Sequence, residues 1–267
     1  MSTLALTFAL SAAVFHALWN LLLARAPDVE SATAVALLTS EIVFAPIAIV
    51  VWRADPGVWP WLVASGLFEL AYFALLATAY RSAPLSVVYP VARGGAPVVV
   101  LLVSLAFSTR QVVAVALIVS GVLLVRGLRH PDRRGLVFGA VIACCIAGYT
   151  LIDKHGIAHA GPIPYLELSM LGPSLVYSAV ILRLRGRAAV RAAIGPPAVV
   201  AGIATFVAYA FVLAALERAP AASVAAVRET SVVIAAALAA LVLKERVTRW
   251  RFLGACIVVA GIAVLAS

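Results

Sequence analysis

Runs of about 20 apolar residues follow one another along almost the whole chain, and nothing constrains its folding more. A helix needs about 20 such residues to cross a bilayer. Pro, Gly and charge breaks divide the 267 residues into ten stretches, at 3–24, 31–52, 58–79, 84–107, 111–127, 135–154, 163–184, 195–216, 220–243 and 249–266. Only short connectors remain, with no room for a soluble domain. With 65% of its residues hydrophobic and 12% charged, against about 25% charged in soluble domains, the chain carries more apolar surface than a water-soluble core could hide. The runs are too long, and too little alternating, for an outer-membrane barrel. No basic residue precedes the first run, which therefore reads as helix one and not as a cleaved signal. The expected fold is all-α and polytopic, with ten transmembrane helices.

The chain also repeats itself. Gly66, Ala79, Ala83 and Pro84 recur 136 positions later as Gly202, Ala215, Ala219 and Pro220. Arg93 in helix four corresponds to Arg228 in helix nine with one residue of slippage, Trp19-Asn20 to Tyr149-Thr150, and Ala114 and Gly121 in helix five to Gly254 and Gly261 in helix ten. The expected organisation is a first five-helix repeat over 1–127, a basic linker over 128–134 and a second five-helix repeat over 135–267. Five crossings are odd, so the second unit lies inverted relative to the first. Inverted repeats place a substrate site near the midplane, where the units meet. The small residues of helices five and ten favour packing between the repeats over dimerisation, and both monomer and homodimer stay open.

The formal net charge is +9, but the basic residues lie between apolar spans, which excludes a nucleic-acid partner. Fourteen of the 20 Lys and Arg residues fall in the connectors 1–2, 3–4, 5–6, 7–8 and 9–10. By the positive-inside rule that face is cytoplasmic and both termini are outside. Cys144, Cys145 and Cys256 lie inside apolar runs without metal-ligand spacing, and each reads as a buried, inert thiol.

The segments HALWNLLLAR in helix one, VYPVARGGAP in helix four, YTLIDKHG in helix six and VRETSVVIAAALAALVLKERVTRWRFLGACIVVAGIAVL in helices nine and ten resemble the EamA-type branch of the drug/metabolite transporter superfamily. The resemblance extends over essentially the whole chain and implies a secondary transporter, with termini often assigned to the cytoplasm, against the charge count. One departure is visible. The second half keeps Lys244-Glu245-Arg246, similar to the family's Gly-Glu-Arg turn, whereas the first half has Ser108-Thr109-Arg110-Gln111.

Ionisable groups at membrane depth cost about 2.5–3.5 kcal/mol each on insertion scales, so their presence points to a site. They are His16, Glu41, Glu69, Arg93, Glu167, Arg228 and Glu229, with Asn20 among them and Asp153-Lys154 near the end of helix six. His16, Trp19, Asn20 and Leu23 share one face of helix one, and Glu69, Tyr72, Phe73, Leu76 and Tyr80 share one face of helix three. An acid within an aromatic stripe suits an apolar or aromatic group bearing positive charge. An arginine in an irregular helix suits a carboxylate or phosphate. The candidate substrate-binding or coupling residues are His16, Trp19, Asn20, Glu41, Glu69, Tyr72, Arg93, Tyr149, Asp153, Glu167, Arg228 and Glu229. For each of these, the competing reading is an ion pair or aromatic contact that ties helices together. Trp52, Trp59 and Trp61 read as an interfacial belt.

Pro90 and Pro97 flank Gly94-Gly95, so helix four is expected to be broken at membrane depth. Helix nine lacks proline, and Gly172-Pro173 predicts a plain kink in helix seven. No HExxH, GxSxG or P-loop motif is present, so no enzymatic activity, metal or cofactor is expected. Transport would be secondary, with a buried carboxylate available to couple it to a proton gradient. The expected function is export of a small organic metabolite, amino-acid-like or drug-like, across the inner (plasma) membrane through a cavity between the repeats. A flippase for a lipid-linked sugar or similar amphiphile is the alternative transporter, and a membrane scaffold or sensor the alternative outside transport.

Overall fold

The computed structural model describes residues 1–83, 85–104, 108–126, 132–235, 237 and 248–266. These form α1 (Thr3–Ala24), α2 (Val29–Val50), a short 3-10 turn (Pro56–Val58), α3 (Trp59–Ser82), α4 (Leu85–Ser104), α5 (Thr109–Arg126), α6 (Arg133–Gly156), α7 (Pro162–Ala192), α8 (Pro196–Leu216), α9 (Ala221–Arg228) and α10 (Arg249–Ala266). Six of the described helices are long and apolar enough to cross a membrane: α1, α2, α6, α7, α8 and the segment Pro56–Leu76 that contains most of α3. The chain is an all-α, polytopic membrane protein.

Local chemistry sets the helix starts. Ser2 accepts from Ala5 N, Asp28 from Ser31 N and Asp132 from Gly135 N, each satisfying a donor that a helix N-terminus leaves open. Asp28 is also why α2 begins at Val29, two residues ahead of the predicted run. At the start of α5, Gln111 Oε1 accepts from Ser108 N at 2.9 Å while Gln111 N donates to Ser108 Oγ at 3.3 Å. This reciprocal cap is what the first half builds from Ser108-Thr109-Arg110-Gln111. Lys244-Glu245-Arg246 and most of the 128–134 linker lie outside the described residues.

Small residues bring the helices together. Lipid offers no hydrophobic drive for association within the bilayer, so close backbone approach and dispersion must supply it. A Cβ on Gly121 would lie 2.6 Å from Gly254 O, and one on Gly254 2.6 Å from Gly121 O. The small-residue faces of α5 and α10 thus pack on each other within one chain. Around them α1 packs on α8 and α3 on α6, α2 on α8 and α3 on α7, α4 on α6 and α1 on α9, and α2 on α7. Exchanging α1 with α6, α2 with α7, α3 with α8, α4 with α9 and α5 with α10 carries these pairings onto themselves.

The two ends of the bundle differ. At one end the connectors after α2 and α6 are laced together: Asp55 N donates to His159 O at 2.9 Å, Gly161 N donates to Arg53 O at 2.7 Å, and Ala54 bridges Ala160. Lys154 Nζ caps the α8 carbonyl of Leu216 there, and the Met1 amine donates to Leu265 O at 2.9 Å. No such lacing joins the connectors after α1 and α7 among the described residues.

Several expectations need correction. Where it is described, α4 runs unbroken from Leu85 to Ser104 through Arg93, Gly94-Gly95 and Pro97; Pro84 lies outside the described residues. The interruption falls in helix nine instead. α9 ends at Arg228, and Glu229 and Thr230 form a tight turn with N–H groups bonded to Ala226 O and Val227 O, before residues 231–235 become helical again. α7 continues through Pro173, and its non-helical residue is Gly186, at φ 81° and ψ 162°. That conformation favours a residue without a Cβ. Cys145 is buried as expected, whereas Cys144 and Cys256 face outward from the bundle. Trp52 and Trp59 lie on the outer surface, and Trp61 stacks on His155 with ring centroids 5.3 Å apart.

Candidate functional site

A cavity of about 930 Å³ is lined by residues of α1–α4 and α6–α9. It runs from the bundle interior to Ala24, Pro27, Asp28, Glu30 and Arg185 at the end that is not laced shut. Pro27 and Arg185 are exposed there. Arg185 Nε meets Glu30 Oε2 at 2.8 Å across the rim, joining α7 to α2. Beside them the Ser31 hydroxyl, donating at 2.7 Å, helps to hold the Asp28 carboxyl below its ordinary value.

The α1 face is aligned as its spacing predicted. His16, Trp19, Asn20 and Leu23 all line the cavity. Trp19 Nε1 donates to His16 Nδ1 at 3.3 Å, with the two rings edge to face. The other ring nitrogen of His16 meets Arg93 Nη2 at 2.5 Å. From α3 come Glu69, Tyr72, Phe73 and Leu76; the Tyr80 side chain lies outside the described residues. Tyr149 of α6 is edge-on to Tyr72 and to Tyr209, with centroids 6.3 and 5.9 Å away.

The arginines form the charged part of the wall. Arg93 and Arg228 are 5% and 3% exposed and line the cavity. Glu229 lies between them, with Oε1 3.5 Å from Arg93 Nη1 and 3.7 Å from Arg228 Nε. Arg228 Nε and Nη2 are buried and make no hydrogen bond, although the 3.7 Å ion pair remains. A buried guanidinium with two unbonded donors, in a residue that lines the cavity, carries a cost of about 1–3 kcal/mol for each missing hydrogen bond until something accepts it, and a carboxylate or phosphate is the acceptor that suits its planar fork. The charges acting on Glu69, across the same wall, are Asp153 and Arg228.

Nine of the twelve predicted residues therefore line one cavity: His16, Trp19, Asn20, Glu41, Glu69, Tyr72, Arg93, Tyr149 and Arg228. Asp153, Glu167 and Glu229 do not. Asp153 sits behind the wall, accepting from Tyr165 Oη at 2.8 Å and from Tyr209 Oη, with Ser65 as a further hydrogen-bond partner. Glu229 is spent on the two arginines. Glu167 faces Glu41 across the α2–α7 interface. These three side chains point into contacts between helices, which residue type alone does not reveal.

Sequence reading passed over Tyr177, Phe206 and Tyr209, which also line the cavity. Thr205, Ala208, Tyr209 and Val212 follow the i, i+3, i+4, i+7 pattern on α8, so the α8 face was detectable by the same argument used for α1.

The sequence model of the EamA-like transporter family matches residues 133–267, just over half of the chain. The chain belongs to the EamA-like transporter family. The match coincides with α6 through α10, which supply Tyr149, Tyr209 and Arg228 to the EamA cavity. A comparison with curated proteins returns no match. A solved structure, described only as the crystal structure of a protein, is similar with a TM-score of 0.75 at 17% identity, covering 99% of this chain and 96% of that one. At that identity the likeness shows a shared fold along the full EamA chain. Family and helices together make it a multi-pass membrane transporter of small substrates.

Proposed function

We propose that the protein is a secondary transporter that exports a small organic metabolite across the plasma membrane, and that the substrate carries an anionic group held by Arg228. The observation that carries this reading is the buried Arg228 guanidinium, which keeps Nε and Nη2 unbonded in a residue that lines the 930 Å³ cavity. The aromatic groups Trp19, Tyr72, Tyr149 and Tyr209 suit an apolar body, and Glu69 suits an amino group. An amino-acid-like solute satisfies all three.

The symmetric helix pairings support a duplicated five-helix unit, 1–127 and 135–267, in inverted orientation. In such a unit the laced connectors after α2 and α6 correspond to those after α7 and α1 at the open rim. Exchanging the two conformations would seal the rim and unlace the other end, giving alternating access. The Arg-rich connectors lie at the open end, so the charge count makes this cavity inward-facing.

The test is counterflow in proteoliposomes loaded with a labelled mixture of amino acids. Uptake by wild type, strongly reduced in Arg228→Lys despite the retained charge, is the expected result, because the planar two-pronged donor is lost. Normal uptake by Arg228→Ala at normal expression overturns the anion assignment. Vesicles that move lipid-linked sugar but no solute favour a flippase, and vesicles that move neither favour a scaffold or sensor.

A further inference from the structure

The α2–α7 interface holds two acids that the arginines of the cavity wall do not neutralise. Glu41 on α2 and Glu167 on α7 are 6% and 9% exposed, their helices pack on each other, and each carboxyl acts on the other. Ser174 Oγ of α7 donates to Glu41 Oε1 at 3.0 Å. Oε2 of Glu41 and Oε2 of Glu167 are both buried and meet no donor.

Among the described residues, no cation acts on either carboxyl. The groups acting on Glu41 are Glu167 and Ser174, and the one acting on Glu167 is Glu41. From α8, Phe206 stacks on Phe44 of α2 at 4.0 Å between centroids. On α3, the acid Glu69 is acted on by Asp153 and Arg228. On α1, His16 is engaged with Trp19 and Arg93. Two desolvated carboxyl groups on packed helices, with no cation acting on them among the described residues, leave a place for one positive charge. A hard metal cation asks for about six or more oxygen ligands, and two carboxyls with one serine hydroxyl offer fewer. A proton needs only the two facing oxygens.

We infer that Glu41 and Glu167 hold one exchangeable proton between them, and that this pair is where proton movement is coupled to transport. The coupling role rests on the transporter reading above; the proton site does not. Glu41 reaches the cavity, whereas Glu167 lies behind its wall in the second turn of α7, nearer the laced end. The pair thus spans from the open cavity toward the sealed face. α2 and α7 occupy equivalent places in the two halves, so any exchange of open and sealed ends must move this interface. A proton taken from cavity water by Glu41 can then leave from Glu167, with no other bond made or broken.

Two measurements on the purified full-length protein decide the matter. Infrared difference spectra in detergent should show a protonated-carboxyl stretching band that disappears as pH rises, is lost in Glu41→Gln and in Glu167→Gln, and is shifted but kept in Ser174→Ala. An unchanged band in both glutamine variants overturns the proton site. A shift of the band on adding sodium chloride at fixed pH replaces the proton by sodium and also overturns it. In proteoliposomes, Glu167→Gln should exchange labelled amino acids at zero gradient yet lose accumulation driven by a pH gradient. Gradient-driven accumulation equal to wild type overturns the coupling role while the transporter reading stands. Wild-type vesicles that move nothing overturn the transporter reading and with it the coupling role, and the infrared result then decides the proton site alone.

Discussion

Arg93 Nη1 stands 3.5 Å from Glu229 Oε1, a buried pair that joins α4 of the first half to the interrupted helix nine of the second. Arg228 shares the same oxygen at 3.7 Å and keeps two nitrogens without a hydrogen bond. The two arginines lie one residue out of step in the repeated sequence and differ in their bonding: Arg93 is the nearer to the acid, and Arg228 keeps two donors unbonded.

This difference predicts opposite phenotypes. Arg93→Ala leaves the buried Glu229 carboxylate with only the longer 3.7 Å contact to Arg228 and should destabilise the protein by at most about 3–5 kcal/mol, read as a lower unfolding temperature in detergent. Arg228→Ala removes a group whose hydrogen bonds are incomplete, so it should cost less stability than Arg93→Ala while abolishing counterflow. Equal losses of stability in the two variants would show both arginines to be structural.

Glu69 lines the cavity, with Tyr72 and Phe73 beside it and Arg228 acting on it. Its counterpart in the second half is Thr205, which also lines the cavity. As the counter-charge for a substrate amino group, Glu69 cannot be replaced by the uncharged Gln. Glu69→Gln should therefore lose both net transport and solute exchange. Retained exchange with lost net transport would make Glu69 a proton carrier instead, and normal activity in both assays would remove it from the site.

The α2–α8 contact is equally testable. A Cβ on Gly202 would lie 2.3 Å from the backbone oxygen of Ala36, whereas one on Gly172 meets nothing within 4 Å. Gly202→Ala should cost about 1–3 kcal/mol, as overpacking of a tight contact does. Gly172→Ala should be neutral or stabilising, since alanine is the better helix former. Thermal unfolding of the two variants side by side checks this.

Asp28 caps α2 at the cavity rim, and its carboxyl is held below the ordinary value of 3.8 by the Ser31 hydroxyl and backbone. A depressed folded value means that the stabilisation is present above the unfolded value and is lost as pH falls through the folded one. Asp28→Ala should cost about 1 kcal/mol at neutral pH. The difference from wild type should close on acidification below pH 3.8. A difference that persists at the lowest pH would mean that the carboxylate charge does not matter to the cap.

Ten crossings with the Arg-rich connectors inside would put both termini outside. A C-terminal reporter active only outside the cytoplasm should therefore report, and one active only in the cytoplasm should stay silent. The reverse result would turn the bundle over and make the cavity outward-facing.

The sequence by itself determined the membrane fold and most of the α1 and α3 faces, because span length, net apolarity and i, i+3, i+4 spacing are local properties that need no partner. His16, Trp19, Asn20, Glu69 and Tyr72 were legible for that reason, and so were the small faces of α5 and α10. Proline content misplaced the helix break, since neighbouring helices can carry Pro97 within α4 while Glu229 and Thr230, without proline, form the turn. Only the tertiary structure decided which buried acids face the cavity. Glu229, Asp153 and Glu167 have the same composition and depth signals as Glu41 and Glu69. What separates them is which side chain from another helix meets each one: the arginines for Glu229, the tyrosines for Asp153, and Glu41 for Glu167. Those contacts join residues up to 136 positions apart, and a charge at membrane depth is neutralised by what packs against it, not by its neighbours in sequence.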